Sequence, residues 1–209
     1  MNLRVDHAVT SGTFSLDGQT FDVDNNVWVL GDDAECLVVD APHDADAILE
    51  VVGDRRVVAV ACTHGHDDHV DAAPALRAAT GAPVLLHPED RVLWDLTHDD
   101  AEPDGELADG QVLEVGGAEV HVLHTPGHAP GAVCLHVPSL GVVFSGDTLF
   151  AGGPGATGRS YSDFSTIVES IRARLLTLPP ETRVLTGHGD ATTVGDEAGH
   201  VQEWLDRGH

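Results

Sequence analysis

The chain contains no lysine. All ten of its basic residues are arginine, set against 35 aspartates and glutamates, and the formal net charge is −25. Such a balance lacks the basic patches that neutralise phosphate, so it argues against nucleic acid and anionic membrane as partners. An anionic substrate would need one of the few arginines, or a bound cation, to reverse the field locally. Aromatic residues make up only 4% of the chain, which leaves the core to Val, Leu, Ala and Ile. No apolar run approaches the roughly 18–20 residues of a membrane span, and "MNLRVDHAVTSG" lacks the apolar centre of a signal peptide. Cys36, Cys62 and Cys134 each sit in an apolar stretch, and an odd number of such thiols suits free, buried side chains in a reducing cytoplasm. A cytoplasmic location is the expectation.

What is present is a chain of 209 residues, 42% hydrophobic, which suits one domain over 1–209. "LRVDHAV", "GTFSLDGQTFDV" and "NNVWVLGDDAECLVVDA" read as strands, the last folded into a hairpin through "GDDA". "HDADAILEVVG" reads as a short helix with an acidic first turn and Gly53 as its stop. "RRVVAVAC" is a continuous apolar run, the pattern of a strand covered on both faces. "DDHVDAAPALRAATG" is expected as a helix up to Gly81, with Pro74 in the first turn of its regular part. A strand "APVLLHP", a short helix "PEDRVLWDL" and a polar loop "THDDAEPDGELADG" follow. Four strands come next, at "QVLEV", "AEVHVLHT", "GAVCLHVP" and "LGVVFSGD". "SDFSTIVESIRARLLTLP" places Phe164, Ile167, Val168, Ile171, Leu175 and Leu178 on one helical face, with Ser162 or Asp163 as N-cap. "TRVLTGHGD" is a last strand and loop, and "GDEAGHVQEWLDRG" a last helix. The interleaving predicts a layered α/β protein with functional groups where strands give way to loops.

Directly behind "VVAVA" stands "CTHGHDDHVD", with three histidines and three aspartates in ten residues. Imidazole nitrogen and carboxylate oxygen are good ligands for zinc and its first-row neighbours. His64 and His66, two apart in an extended segment, can point to one side. Asp68 and His69 open the next helix and turn toward a second point, so two adjacent ions suit this loop better than one. Matching groups recur farther on: His128 in "HTPGHAPG", Asp147 in "VVFSGDTLF" and His188 in "VLTGHGD". Each stands in a small-residue turn after an apolar strand, which is how a sheet delivers ligands to one edge.

With these motifs in this order the chain resembles the metallo-β-lactamase superfamily, and within it the hydroxyacylglutathione hydrolase (glyoxalase II) branch. The H-x-H-x-D-H motif stands as His64, His66, Asp68 and His69, and "TPGH", "SGDTLF" and "GHG" complete the match from about residue 20 to 190. The resemblance implies a four-layer αββα sandwich. It implies two divalent transition-metal ions, zinc in the first place with iron and manganese as alternatives. His64, His66 and His128 would hold one, Asp68, His69 and His188 the other, and Asp147 would bridge them. The aspartate at 147 departs from the β-lactamases that place a cysteine ligand there. Asp67 reads as a solvated or supporting acid, and His124 as a strand residue or a support of the site. His7, His43, His87, His98, His121, His136, His200 and His209 have no motif and read as structural, as do the cysteines.

Two ions about 3.5–4 Å apart share and activate a water that attacks a carbonyl, and a thioester needs little help with its leaving thiolate. Asp68 would help to orient the water. In glyoxalase II proteins the loop after the bridging aspartate carries a basic residue and a tyrosine for the thiol's carboxylate; Arg159 and Tyr161 have similar spacing to one another here. The chain closes with one helix after "GHGD", where longer members add a helical domain. That departure points away from glutathione itself, and the lysine-free composition suits a thioester of another low-molecular-weight thiol, such as mycothiol. The competing expectations are a mononuclear-iron persulfide dioxygenase, which would not need His188, a metallohydrolase acting on lactones or phosphoesters, and a catalytically silent metal-binding module.

Overall fold

The computed structural model describes residues 3–208; His209, among the histidines without a motif, lies outside them. The N-terminal half builds one six-stranded sheet. In chain order its parts are β1 (Arg4–Leu16), β2 (Gln19–Gly31), β3 (Glu35–Val39), helix α1 (Ala45–Val52), β4 (Arg56–Ala61), helices α2 (Asp67–Val70) and α3 (Ala73–Thr80), β5 (Val84–Leu86), helix α4 (Arg91–Thr97) and β6 (Gly105–Glu106). The strands lie in the order β1-β2-β3-β4-β5-β6, antiparallel up to β3 and parallel from there on.

The second half repeats the scheme with β7 (Val112–Val115), β8 (Ala118–His124), β9 (Val133–Val137), β10 (Val142–Gly146), the small pair β11 (Leu149–Phe150) and β12 (Gly153–Pro154), helix α5 (Phe164–Ser170), β13 (Arg183–Thr186), β14 (Thr192–Thr193), and helices α6 (Val194–Ala198) and α7 (Val201–Arg207). Its sheet runs β14-β13-β10-β9-β8-β7, and β10 and β13 are parallel.

Side-chain alternation sorts these strands into layers, because successive residues of a strand face opposite sides. On β3, Cys36 and Val38 join the core under the first set of helices, while Leu37 and Val39 face the second sheet. On the second sheet Val142, Phe144 and Leu185 meet that inter-sheet core, and Cys134, Val143 and Val184 turn to Ile167, Ile171, Leu175 and Trp204 on the far side. Three apolar layers between four structural ones make the expected αββα sandwich. All three cysteines are free and buried, and burial raises Cys134 to about 11 and Cys62 well above the ordinary thiol value, so neither is a thiolate nucleophile.

Four local expectations need correction. "GTFSLDGQTFDV" is not one strand but the tip of a long hairpin, because Asp17 and Gly18 form a two-residue turn between β1 and β2. The helix expected through Gly81 is two, α2 and α3, with Pro74 in the first turn of the second. Proline has no N–H to offer and its ring clashes with the carbonyl four residues back, so the helix restarts rather than continues. The last helix likewise splits into α6 and α7 around Gly199 and His200. Finally, the acidic loop before β7 contributes Gly105–Glu106 as an edge strand against β5. The N-cap left between two residues is Asp163, whose carboxylate accepts the Thr166 N–H at 2.7 Å.

Candidate metal centre

Strands β4, β10 and β13 end on one edge of the sandwich, and the loop joining β8 to β9 reaches it too. The His64–His69 segment, His128, Asp147 and His188 therefore meet, although they are scattered over more than a hundred positions. Three groupings bring ligand atoms within 4.8 Å of one another: His64, His66 and His128; Asp68, His69 and His188; and His64, His69 and Asp147. His66 Nδ1 lies 3.0 Å from His128 Nε2, and His69 Nε2 lies 3.3 Å from His188 Nε2. Ligand atoms about 2.0–2.1 Å from a zinc ion stand roughly 3.3 Å apart along a tetrahedral edge, so these separations are those of neighbours around one cation. Asp147 stands between the groupings, with Oδ1 3.4 Å from His69 Nε2 and Oδ2 3.4 Å from His188 Nε2 and 3.6 Å from His128 Nε2.

The orientation of each ring agrees with metal ligation. His69 Nδ1–H donates to Asp40 at 2.9 Å, His128 Nδ1–H to the Ala156 carbonyl at 2.8 Å and His188 Nδ1–H to the Asp24 carbonyl at 2.7 Å. His64 Nδ1–H reaches the Thr63 hydroxyl at 3.1 Å, which passes its own proton to Asp40 at 2.9 Å. The Nδ1 atoms of these four rings are thus tied down and their Nε2 atoms face inward, as the partners of ligating histidines require, whereas His66 turns Nδ1 inward toward His128 Nε2. His64 Nε2 and Asp147 Oδ1 are buried with no hydrogen-bond partner, an arrangement that costs stability unless a cation satisfies it. The residues present fit two divalent ions.

Electrostatics divide the site. Burial, reinforced by neighbouring imidazoles, holds His64 well below the usual histidine range, and burial takes His66 to about 3. On the other side burial resists protonation of His69, but Asp68, Asp147 and Asp40 outweigh it and raise the ring well above its ordinary value. His188 is raised in the same way, against burial and chiefly by Asp147, to about 10. Burial opposes the ionisation of Asp68, yet His69 and His188 hold it at about 2, and they hold Asp147 well below the carboxylate range.

Close packing keeps this arrangement in place. A side chain at position 187 would put its Cβ 2.2 Å from Asp147 Oδ1 and 2.9 Å from His69, so the glycine of "TGHG" is the only residue that fits. Asp90, fully buried, accepts the Gly65 N–H at 2.8 Å and the Gly131 N–H, and so ties the His64–His66 loop to the His128 loop. Burial raises it to about 7 in spite of those two donors.

The centre opens into a cleft of about 240 Å³, walled by Phe14, Leu16, Phe21 and Val23 of the β1–β2 hairpin and by Ala156 and Arg159 across from it. The Arg159 guanidinium lies over the Phe21 ring at 4.6 Å and the Phe14 ring at 5.3 Å, while its Nη1 is buried without a hydrogen-bond partner. Tyr161 is not brought in: it is absent from the cleft wall, its side chain is exposed and its φ is 68°. Asp67 accepts the Ser15 N–H at 3.0 Å, pinning the hairpin to α2 rather than facing the ligands.

His124 stacks on His87 at 4.2 Å between ring centroids and 12° between planes. With Glu89 the two form a further histidine and carboxylate grouping. Parallel stacked rings share no plane, however, so one ion cannot take an in-plane lone pair from each, and the pair reads as packing.

Spacing alone does not reveal Asp40, Asn25 or Asp90, which hold the ligands rather than join them. Asp40 did carry a signal, since it follows an apolar strand just as Asp147 does.

Fold and site together define an αββα protein with paired histidine and carboxylate half-sites at a sheet edge. Residues 20–188 match the model of the metallo-beta-lactamase superfamily, and the chain belongs to that superfamily. It is 34% identical to a probable metallo-hydrolase, YqgX, of Bacillus subtilis, over 81% of this chain and 87% of that one. It is 31% identical to the hydroxyacylglutathione hydrolase GloC of Haemophilus influenzae, over 82% and 87%. Among solved structures it is similar to the BLEG-1 B3 metallo-beta-lactamase, with a TM-score of 0.77 and 31% identity over 91% of this chain and 97% of that one. It is similar also to TTHA1623 in a di-iron-bound form, with a TM-score of 0.75 and 33% identity over 90% and 96%. No helix among the described residues is long and apolar enough to cross a membrane.

Proposed function

We propose that this metallohydrolase-family chain cleaves thioesters of a low-molecular-weight thiol at a dinuclear centre held by His64, His66 and His128 on one side, Asp68, His69 and His188 on the other, and Asp147 between. The carrying observation is the position of Asp147, whose two oxygens lie 3.4–3.6 Å from ring nitrogens of both groupings. A mononuclear iron centre would leave His188 without a purpose; here its Nε2 lies 3.3 Å from Asp68 Oδ2 and 3.4 Å from Asp147 Oδ2. Two divalent ions, when bound, supply Lewis acidity toward a carbonyl and bring the pKa of a water near 7.

The chain's own residues supply the rest. Asp68 is ionised and lines the cleft, placed to orient an attacking water through a hydrogen bond. A thiol with a pKa of about 8.5 leaves as thiolate without a dedicated acid. Phe14, Leu16, Phe21 and Val23 exclude water from one wall and suit an apolar portion of the substrate. Arg159, with a buried and unmatched Nη1, suits an anionic group on the thiol. Similarity to GloC supports the thioester, and zinc is the proposed metal although a solved relative holds iron.

The test is metal content per chain, followed by hydrolysis of a panel of acyl thioesters of glutathione, mycothiol and other small thiols. Two ions per chain with thioester hydrolysis are expected. One ion with oxygen consumption on a persulfide, or turnover confined to lactones or phosphoesters, would overturn the proposal.

A further inference from the structure

Two side chains that make no direct claim on a metal, His43 and Asn25, form a chain that ends on Asp68. Asn25, on β2, is completely buried, and its Nδ2 donates to the Asp68 carbonyl at 2.8 Å and to Asp68 Oδ2 at 3.0 Å. Its Oδ1 faces His43 Nε2 at 2.8 Å. An amide oxygen only accepts, so the imidazole is the donor, and that contact fixes which end of the amide faces the carboxylate.

His43 is itself held in place with some effort. Its φ is 59°, unusual for a residue with a side chain, and its backbone N–H donates to Asp71 Oδ1 at 2.6 Å. The ring's Nδ1 lies 3.4 Å from Asp71 Oδ2. Opposite, β1 makes room for the ring: a Cβ at Gly12 would fall 2.2 Å from His43 Nδ1. The run Asp71, His43, Asn25, Asp68 thus leaves from the residue that caps the C-terminus of α2 and returns to the helix at its first turn.

We infer that Asn25, oriented by His43, is a positioning pair that sets the Asp68 carboxylate for the second metal half-site. This rests on the dinuclear reading above. The need is physical. Asp68 and Asp147 are neighbouring carboxylates that repel one another, and a buried carboxylate keeps one orientation only if donors hold it. His188 and His69 approach Asp68 Oδ2 at 3.3 Å and 3.5 Å, and Asn25 gives it the shortest contact, at 3.0 Å, from a strand outside the ligand loops. His64, His66 and His128 make no contact with the pair, so its removal should be felt on one side of the centre.

The experiment is stepwise titration of metal-free protein with Zn²⁺ by calorimetry, with thermal unfolding of the metal-free form beside it. Asn25→Leu removes the donors at similar volume, and should weaken the second binding step about 10- to 100-fold while sparing the first. His43→Asn tolerates the positive φ but is too short to reach Asn25, and should weaken the same step. His43→Gln, whose amide nitrogen can take the place of imidazole Nε2, should restore it. Should Asn25→Leu fail to fold, the two His43 variants decide the matter. The inference is overturned if His43→Asn and His43→Gln both take the second ion as the wild type does, or if both steps weaken together in parallel with lost thermal stability. A wild-type chain that binds only one ion would instead overturn the dinuclear reading itself, before any variant is compared.

Discussion

The two halves of the centre are built on different principles, although they lie a few ångströms apart. In the half formed by His64, His66 and His128, burial keeps His64 and His66 unprotonated, and His66 Nδ1 faces His128 Nε2 at 3.0 Å. The half formed by Asp68, His69 and His188 is a charged cluster, in which buried carboxylates draw protons onto two imidazoles. Lone pairs held by burial await a cation without having anything to give up. Rings protonated by their neighbours must release those protons first. The contrast predicts that the two ions bind by different thermodynamics at one site.

Asp147 is where the comparison can be broken outright, because it touches both halves. Asp147→Ala should reduce turnover by at least about 10²- to 10³-fold, on the scale of losing a principal electrostatic group. It should also lower occupancy at both steps; a variant that stays active with metal lost would end the scheme.

The difference is sharpened by proton counting. His188, raised to about 10, and His69, raised well above its ordinary value, carry protons at neutral pH that a bound cation displaces. Affinity for one ion should therefore rise with pH toward 10, whereas His64 and His66 hold no protons at neutral pH for the other ion to displace. Calorimetry in buffers of different protonation enthalpy reads this directly: proton release should be larger at the step that fills the Asp68, His69 and His188 side than at the other. Equal release in both would erase the distinction.

The smallest effect belongs to a residue outside both halves. Arg159→Ala should raise KM for an anionic thioester about tenfold, the scale of a hydrogen bond to a charged group, with little change in kcat. KM for an uncharged thioester and both metal-binding steps should stay as they are. An unchanged KM for the anion would remove Arg159 from the substrate site.

The ligand residues were legible because their spacing is dictated by chemistry. His64, His66, Asp68 and His69 stand close together in one loop, and each remaining ligand follows an apolar strand in a turn of small residues. The continuous apolar run of "RRVVAVAC" likewise marks a strand covered on both faces, and Val57 and Val60 join one core while Ala59 and Ala61 join the other. Asn25, His43 and Asp90 carry no such mark. A single asparagine within a strand, or an aspartate in a short helical turn, has many structural uses, and its partner here lies 25 or more residues away in two of the three cases. Tyr161 shows the converse, since spacing relative to Arg159 suggested a role while the backbone turns its side chain outward.

By itself the sequence determined that strands and helices alternate, that acids far outnumber bases, and that metal-binding groups stand at the ends of particular strands, all of which follow from local patterns. Only the tertiary structure decided that two sheets bring those strand ends to one edge, that burial leaves His64 and His66 neutral while carboxylates charge His69 and His188, and that Asn25 meets Asp68. Those outcomes depend on burial and on distances across the fold, and neither is encoded in the spacing of residues along the chain.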